Sequence, residues 1–515
     1  MSGARMPGRD GETQSAGIGG ADVPRWLRPG PLVALVVVLT LLRLVVAASS
    51  GLAEDEAYYR LWGLHPATGY YDHPPMIGWW IWLGQWLAGD TALGIRIIGV
   101  LSGALGSLAL WRTAALLFGR TTAGWTVLLF NATLLIGIGS LIATPDAPSV
   151  LFWGLTIWAL AELTKGRNAN WWLAVGLFAG LGLASKYSVL FLGAGIVLWL
   201  LLVPDARRWW RSWQLWAGGA LALLIVLPVV LWNADHQWAS FYKQFGRAVP
   251  HGWTLKYLLE FIGALAGLLN PLIAVLAVIG AARMIRGTLK GEAAAGLLIW
   301  TSLPFLAYLV FHSFHARVQG NWPAPLFPAL VMMAAVVASA PPQRLARLWR
   351  GCAVIAVPLG LAVSLVVYVH AVSPLTGTLA RKDPTFQTRG WPEIGAALTD
   401  LAGRHDARWI ATQAYGLNGQ LAFTLRGVLP VEQVTERIRY VMQPDLASET
   451  ARRPALFVAE ARRDPGAEAL AARFGKVERV AELVRSVSGV PLETLVVYRV
   501  AEPSGDPRDP VYPLP

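Results

Sequence analysis

The sequence predicts an all-α polytopic membrane domain of about eleven transmembrane helices followed by a small C-terminal α/β soluble domain, and three observations carry this reading. Of 515 residues, 55% are hydrophobic and only 14% charged, and the mean hydropathy is +0.48, more apolar surface than a soluble chain of this size can shield from water. Apolar runs of about 20 residues, the length that spans a bilayer as a helix, recur up to residue 372. Beyond that point the runs stop, and residues 373–515 carry 18 Lys+Arg against 17 Asp+Glu.

The chain divides into a polar cytoplasmic tail at 1–30, a membrane domain at 31–372 and an extracytoplasmic α/β domain at 373–515. The Gly-rich first segment leads into an apolar run without a small-residue cleavage pattern, so that run reads as a retained anchor. Spans are expected near 31–53, 91–118, 122–143, 147–164, 170–184, 187–203, 214–232, 255–282, 293–311, 323–340 and 351–372, with 170–203 alternatively one broken helix. Tryptophan pairs such as Trp79-Trp80, Trp171-Trp172 and Trp209-Trp210 stand at segment ends, where an amphipathic ring rests at headgroup level.

Short basic loops stay cytoplasmic, and alternate loops here are basic: Arg5, Arg9, Arg25 and Arg28; Arg112 and Arg120; Lys165 and Arg167; Arg207, Arg208 and Arg211; Arg283, Arg286 and Lys290; Arg344, Arg347 and Arg350. The opposite loops hold Glu54, Asp55, Glu56, Asp72, Asp90, Asp146 and Asp235, with Arg60, Lys186, Lys243, Arg247, Lys256 and Arg317 as their cations. The N-terminus is therefore expected inside and the soluble tail outside. A net charge of +12 spread over short loops forms no single basic face, which argues against a nucleic-acid partner. Cys352, the one cysteine, lies in an apolar run and offers neither a disulfide framework nor a thiolate metal site. In the tail, a helical pattern at Trp391–Ala402 precedes β-rich runs at Arg408–Thr412, Ala455–Ala459 and Thr494–Val500.

The chemistry collects in the outside loops. Glu54-Asp55-Glu56-Ala57-Tyr58-Tyr59 follows directly on the first apolar run, and three carboxylates are costly so near a bilayer unless they face a wet pocket. Asp55 and Glu56 are the candidate catalytic carboxylates, able to take a proton from an attacking hydroxyl. Tyr58, Tyr59, Tyr71 and His73 are candidate substrate contacts beside them. Asp72, stiffened by Pro74-Pro75 behind it, offers an oxygen for a divalent metal, with His251 as a second candidate ligand. Asp146, in Thr144-Pro145-Asp146-Ala147-Pro148, reads either as a helix N-cap alone or as a cap that also serves the site. Lys186 stands between two apolar stretches, where it suits a lipid-linked phosphate or snorkels to the headgroups. Arg317, an outside cation after His312-Ser313-Phe314-His315-Ala316, and Asn321 in Asn-Trp-Pro-Ala-Pro complete the candidate substrate-binding set. Arg43 and Arg96 interrupt apolar runs and must face the protein interior. A transporter or flippase of a lipid-linked sugar is the alternative class. Transporters place discontinuous helices and charges near the bilayer midplane, whereas these carboxylates lie at its outer surface.

Asp55-Glu56-Ala57-Tyr58-Tyr59, Gly-Tyr-Tyr-Asp-His-Pro-Pro, Thr-Pro-Asp-Ala-Pro, Ser-Lys-Tyr-Ser and Asn-Trp-Pro-Ala-Pro occur in this order. The set resembles the polyprenyl-phosphate-dependent glycosyltransferases of the C-type fold, in the branch of protein O-mannosyltransferases and aminoarabinose lipid A transferases. That resemblance implies a lipid-linked sugar donor and a lipid, saccharide or protein acceptor. It also implies Asp55 as the catalytic carboxylate, Asp72 near a metal, Lys186 and Arg317 on the phosphate, and a single displacement with inversion. The aminoarabinose branch commonly has Glu-Lys-Pro-Pro where this chain has Asp72-His73-Pro74-Pro75, so a lysine expected on the phosphate is here a histidine.

Overall fold

A computed structural model describes residues 23–246, 252–376 and 378–512, so that residues 1–22 of the expected tail and the candidate ligand His251 lie outside the described residues. Pro29 opens α1 (Pro29–Ser49) where its missing N–H costs nothing. The chain then turns into α2 (Glu54–Leu64), a short helix that packs against the helix after it and the C-terminal unit. Its three carboxylates, Glu54, Asp55 and Glu56, all fall in the first turn, where the helix dipole favours negative charge. After Pro74-Pro75 comes α3 (Met76–Ala88), an apolar helix that the sequence reading did not anticipate. Thr91 caps α4 (Ala92–Phe118) by accepting from the Gly94 amide at 3.0 Å.

The expected span 122–143 is broken. It runs as α5 (Arg120–Asn131), then a short α6 (Leu134–Gly139) that restarts on a Thr133 cap, and then irregular chain leading to α7 (Asp146–Gly166). Next come α8 (Trp171–Leu183) and α9 (Leu190–Leu202), separated by a turn that contains Lys186, and a 105° bend follows α9 at Pro204. After α10 (Trp213–Asp235) and the short α11 (Ala239–Gly246), the expected span 255–282 is divided into α12 (Lys256–Leu269) and α13 (Pro271–Leu289). Asn270 makes that break. It holds a left-handed φ of 79°, its side chain caps the Leu272 amide at 3.1 Å, and Pro271 has no N–H to continue the ladder. The membrane part ends with α14 (Ala293–Ser313), α15 (Phe327–Ser339) and α16 (Ala346–Val372). Among the described residues, seven helices have the length and hydropathy to cross a bilayer unaided: α1, α4, α7, α10, α13, α14 and α16. The remaining expected spans are realised as shorter or broken helices packed among these.

Close packing follows small residues, as in other membrane bundles. A Cβ added to Gly176 of α8 would stand 2.0 Å from the Gly218 carbonyl of α10. Both intramembrane arginines are internally satisfied. Arg96 pairs with Glu56 at 2.7 Å, and Arg43 donates to Asn131 Oδ1 and to the Tyr368 hydroxyl, each at 3.2 Å.

Beyond α16 the chain forms the α/β unit. Its helices α17 (Trp391–Arg404) and α18 (Tyr415–Thr424) pack on a five-stranded sheet of β1 (Trp409–Thr412), β2 (Val431–Gln433), β3 (Ala455–Glu460), β4 (Phe474–Val487) and β5 (Val490–Pro503). The strand order is β2-β1-β3-β5-β4. The first three strands are parallel, and β4 and β5 form a long antiparallel hairpin at one edge. This unit sits on α2: Gln420 donates to the Leu52 carbonyl at 2.7 Å, and Gly419 lies so close that a Cβ there would meet the Tyr58 amide nitrogen at 2.6 Å.

Candidate functional site

Glu56 fixes the orientation of α2. It is fully buried, and its two oxygens accept from Arg96 Nε and Nη2 at 2.7 Å each and from the amides of Ala143 and Ala53 at 2.9 Å each. A carboxylate so occupied has no capacity left for a substrate proton. The catalytic part expected of Glu56 is therefore replaced by a structural one. Successive helical residues point about 100° apart, so with Glu56 locked inward its neighbour Asp55 looks to the other side, into open space.

Two cavities meet at that point. One, of about 440 Å³, descends between α4, α6 and α7 and is walled mainly by apolar groups such as Leu110, Phe130, Leu135 and Leu151. The other, of about 550 Å³, runs toward α9, α11 and α14 past Leu190, Phe191, Phe245 and Phe305. Asp55, Thr144, Asp146, Gln319 and Asn321 line both. Asp146 opens α7 without capping its own helix, so the cap expected in both readings of it does not form. Its Oδ1 accepts from Lys186 Nζ at 2.5 Å and its Oδ2 from Asn321 Nδ2 at 2.6 Å. Lys186, His73 and Tyr59 all line the second cavity. Asp55 accepts a hydrogen bond from the Tyr415 hydroxyl at 3.0 Å. Although water reaches its carboxylate from the cavity, the surrounding protein desolvates it. Desolvation raises its pKa above the ordinary 3.8, against the Tyr415 bond, and the nearby charges of Asp72, Glu56 and Asp146 push the same way.

Asp72 lies outside both cavities and is already neutralised. Its Oδ1 takes Lys243 of α11, and its Oδ2 takes Arg439 Nη1 at 2.5 Å and the Tyr58 hydroxyl at 2.8 Å. Burial would raise its pKa, but Arg439 and Lys243 together outweigh burial and hold it below 3.8. Burial depresses Lys243 in turn, with Asp72 opposing. Tyr71 presents its ring to the same two cations, 4.1 Å from Lys243 Nζ and 5.4 Å from the Arg439 guanidinium. Two fixed cations on one carboxylate repel a dication, and no group of three or more His, Cys, Asp or Glu gathers anywhere among the described residues. The expected metal does not fit at Asp72.

Arg317 also departs from expectation. Its side chain is 75% exposed, it pairs with Glu260 of α12 at 3.1 Å, and it lines neither cavity. Of the remaining candidates, Tyr58 is buried behind Asp72, while Tyr59 reaches the second cavity. Sequence reasoning missed Gln319, Gln387, Gln244 and Tyr415, all at the cavities or on Asp55, and Lys243 and Arg439 on Asp72. For Gln319 a signal existed, two residues before the Asn-Trp-Pro motif. Tyr415 and Arg439 come from the soluble unit hundreds of residues downstream, where no motif marks them.

Residues 72–232 match the family described as dolichyl-phosphate-mannose-protein mannosyltransferase. The chain is 30% identical over 285 residues to the lipid A galacturonosyltransferase RgtD of Rhizobium johnstonii, a match covering 54% of this chain and 59% of that protein. It is 28% identical over 302 residues to the undecaprenyl phosphate-alpha-4-amino-4-deoxy-L-arabinose arabinosyl transferase of Erwinia tasmaniensis, covering 52% of this chain and 49% of that one. The chain thus spans about half the length of these relatives. The crystal structure of ArnT from Cupriavidus metallidurans bound to undecaprenyl phosphate superposes with a TM-score of 0.64 at 16% identity, covering 94% of this chain and 100% of that one. The fold is the same.

Proposed function

We propose, for a chain related to the polyprenyl-phosphate-sugar glycosyltransferases and sharing their C-type fold, that it transfers a glycosyl group from a polyprenyl-phosphate donor, of the undecaprenyl-phosphate kind, to a hydroxyl or phosphate of a lipid, saccharide or protein acceptor. The observation that carries this reading is the junction of two apolar-walled cavities at Asp55, Asp146 and Asn321, with Lys186 paired to Asp146 beside it. An amphiphilic donor needs such a place, where a charged headgroup meets polar groups while the isoprenoid chain stays against apolar walls. Among the relatives, names specifying lipid A and an undecaprenyl-phosphate sugar support an envelope lipid or saccharide as acceptor.

In the reaction the acceptor oxygen attacks the anomeric carbon and Asp55 accepts its proton. The bond from that carbon to the phosphate oxygen breaks, and polyprenyl phosphate leaves with its new charge facing Lys186. The second cavity, which holds Lys186 and His73, takes the donor phosphate, and the first takes the acceptor. Asn321 and Lys186 hold Asp146, and Asp146 in turn sets where the Lys186 ammonium stands. Direct displacement on the face opposite the leaving phosphate gives inversion. The proposed topology is a cytoplasmic tail at 1–30, a membrane domain at 31–372 and an extracytoplasmic domain at 373–515, in a bacterial inner membrane. The alternation of basic and acidic loops supports it.

The test is transfer of labelled sugar from synthetic polyprenyl-phosphate sugars to extracted envelope acceptors by purified protein. Asp55→Asn should lower the rate by about 10²–10⁴, and Lys186→Met should weaken donor use. Transfer by Asp55→Asn at the unmodified rate would overturn the assignment.

A further inference from the structure

A third cavity of about 720 Å³ lies apart from the reaction chamber, where the soluble unit meets the membrane helices. Ser49 and Val372, the last residues of α1 and α16, line its floor. Below that floor, α1 and α16 turn Val45 and Val369 outward, 63% and 45% exposed, as a lipid-facing surface. The cleft therefore sits at the headgroup level of the leaflet on the soluble unit's side.

Its wall is built for an anion. Arg389 lines it and is only 7% exposed; its Nε and Nη2 are bonded to Thr385 Oγ1 and the His370 carbonyl and Nη2 stands 4.0 Å from the buried Asp383 carboxylate, but Nη1 is buried with no partner. A donor left unpaired in a buried guanidinium is costly and is expected to find an acceptor. Arg426, an exposed cation resting 4.2 Å over the Phe423 ring, stands in the same wall. The N-terminus of α17 also opens onto the cleft at Gly390 and Trp391, with no side chain capping it. Against two guanidinium groups and a helix N-terminus stand the lining carboxylate of Glu393 and, behind Arg389, that of the buried Asp383.

We propose that this cleft binds the phosphate headgroup of a membrane lipid whose acyl chains lie along the outward faces of α1 and α16. The site is independent of the transferase reading, since it uses neither Asp55 nor Lys186. The chain links it to the reaction chamber: Gln387, two residues before Arg389, lines the first cavity and accepts from the Glu54 amide at 3.4 Å.

Native mass spectrometry of the full-length protein, released from detergent with dioleoylphosphatidic acid or with dioleoylglycerol, tests this. The phosphate-bearing lipid should be retained and its phosphate-free counterpart lost. Arg426→Gln should lower retention by about fivefold, as expected for one charge-assisted contact. Ser49→Trp, which fills the floor without removing charge, should lower it similarly while the melting temperature stays put. Retention unchanged in both variants, or equal retention of dioleoylglycerol, overturns the proposal. Displacement of the lipid by millimolar inorganic phosphate overturns its lipid part and leaves a free-phosphate site.

Discussion

Asp72 is the carboxylate on which three parts of the molecule meet, and removing its charge should cost more than removing either of its cations. It is 8% exposed and carries Lys243 from α11, Arg439 from the soluble unit and the Tyr58 hydroxyl from α2. Asp72→Asn leaves a nearly buried ammonium and guanidinium facing each other with no anion between them, a situation that costs about 3–5 kcal/mol when complete. Arg439 keeps a second, half-exposed partner in Glu436 at 2.9 Å, which brings the figure to about 3 kcal/mol. Arg439→Met removes one charge-assisted bond but leaves Asp72 with Lys243 and Tyr58, a loss of about 2 kcal/mol. Lys243→Met likewise removes one charge-assisted bond and leaves Asp72 with Arg439 and Tyr58, again a loss of about 2 kcal/mol. Denaturant unfolding of the detergent-solubilised protein, followed by near-UV circular dichroism, reads all three. The pH dependence adds a check with a definite sign. Because the folded-state pKa of Asp72 lies below 3.8, its contribution is fully present above pH 3.8 and disappears as the pH falls through the folded value. The gap between the unmodified protein and Asp72→Asn should therefore close in acid. If Arg439→Met proves the most harmful of the three, or the gap persists in acid, the carboxylate is not the keystone.

Asp55, with its pKa raised by desolvation, must lose its proton to act as base, so kcat/KM for transfer should climb with pH through a value above 3.8 and Asp55→Asn should flatten that limb. Glu56→Gln should strand the buried Arg96 and cost about 3–5 kcal/mol, seen as lost folded protein instead of a slowed reaction in intact protein. Gly419→Val places carbon 2.6 Å from the Tyr58 amide and should loosen the soluble unit from α2 by about 1–3 kcal/mol, measured as faster release of that unit by limited proteolysis.

Much of this architecture is written in the sequence, and the misses have physical causes. Length and hydropathy set α1, α4, α7, α10, α14 and α16, because a bilayer crossing demands a long uninterrupted apolar helix. The run 255–282 is largely apolar, yet Asn270 and Pro271 break it. The same apolar signal passes through a cap when the cap is only one or two residues long. In the soluble unit, β1 and β3 are legible because both faces are buried and the residues are continuously apolar. By contrast β4 carries Lys476, Glu478, Arg479 and Glu482 along an edge, so its pairing with β5 is invisible in its composition. At the site, Asp55, Asp146, Lys186 and Asn321 stand out because each is a polar residue close to the end of an apolar run. The sequence does not say which of them touch.

Those pairings change the chemistry that the residues can do. Read singly, Lys186 is a free cation awaiting a phosphate and Asp72 a free oxygen awaiting a metal. In the folded chain Lys186 is spoken for by Asp146, and Asp72 by Lys243 and Arg439. In the proposed transfer, a phosphate entering the second cavity meets an ammonium whose charge Asp146 partly screens, so the ground-state donor gains little there. As the glycosyl bond breaks, the phosphate takes on another negative charge, and the same ammonium then interacts more strongly with it while Asp146 and Asn321 keep it from moving away. An interaction that grows along the reaction coordinate lowers the barrier, whereas one already spent on binding the donor does not. The counter-ion beside Lys186 therefore favours turnover over tight donor capture. Such a bias suits the proposed reaction, in which a spent lipid phosphate must return to the bilayer.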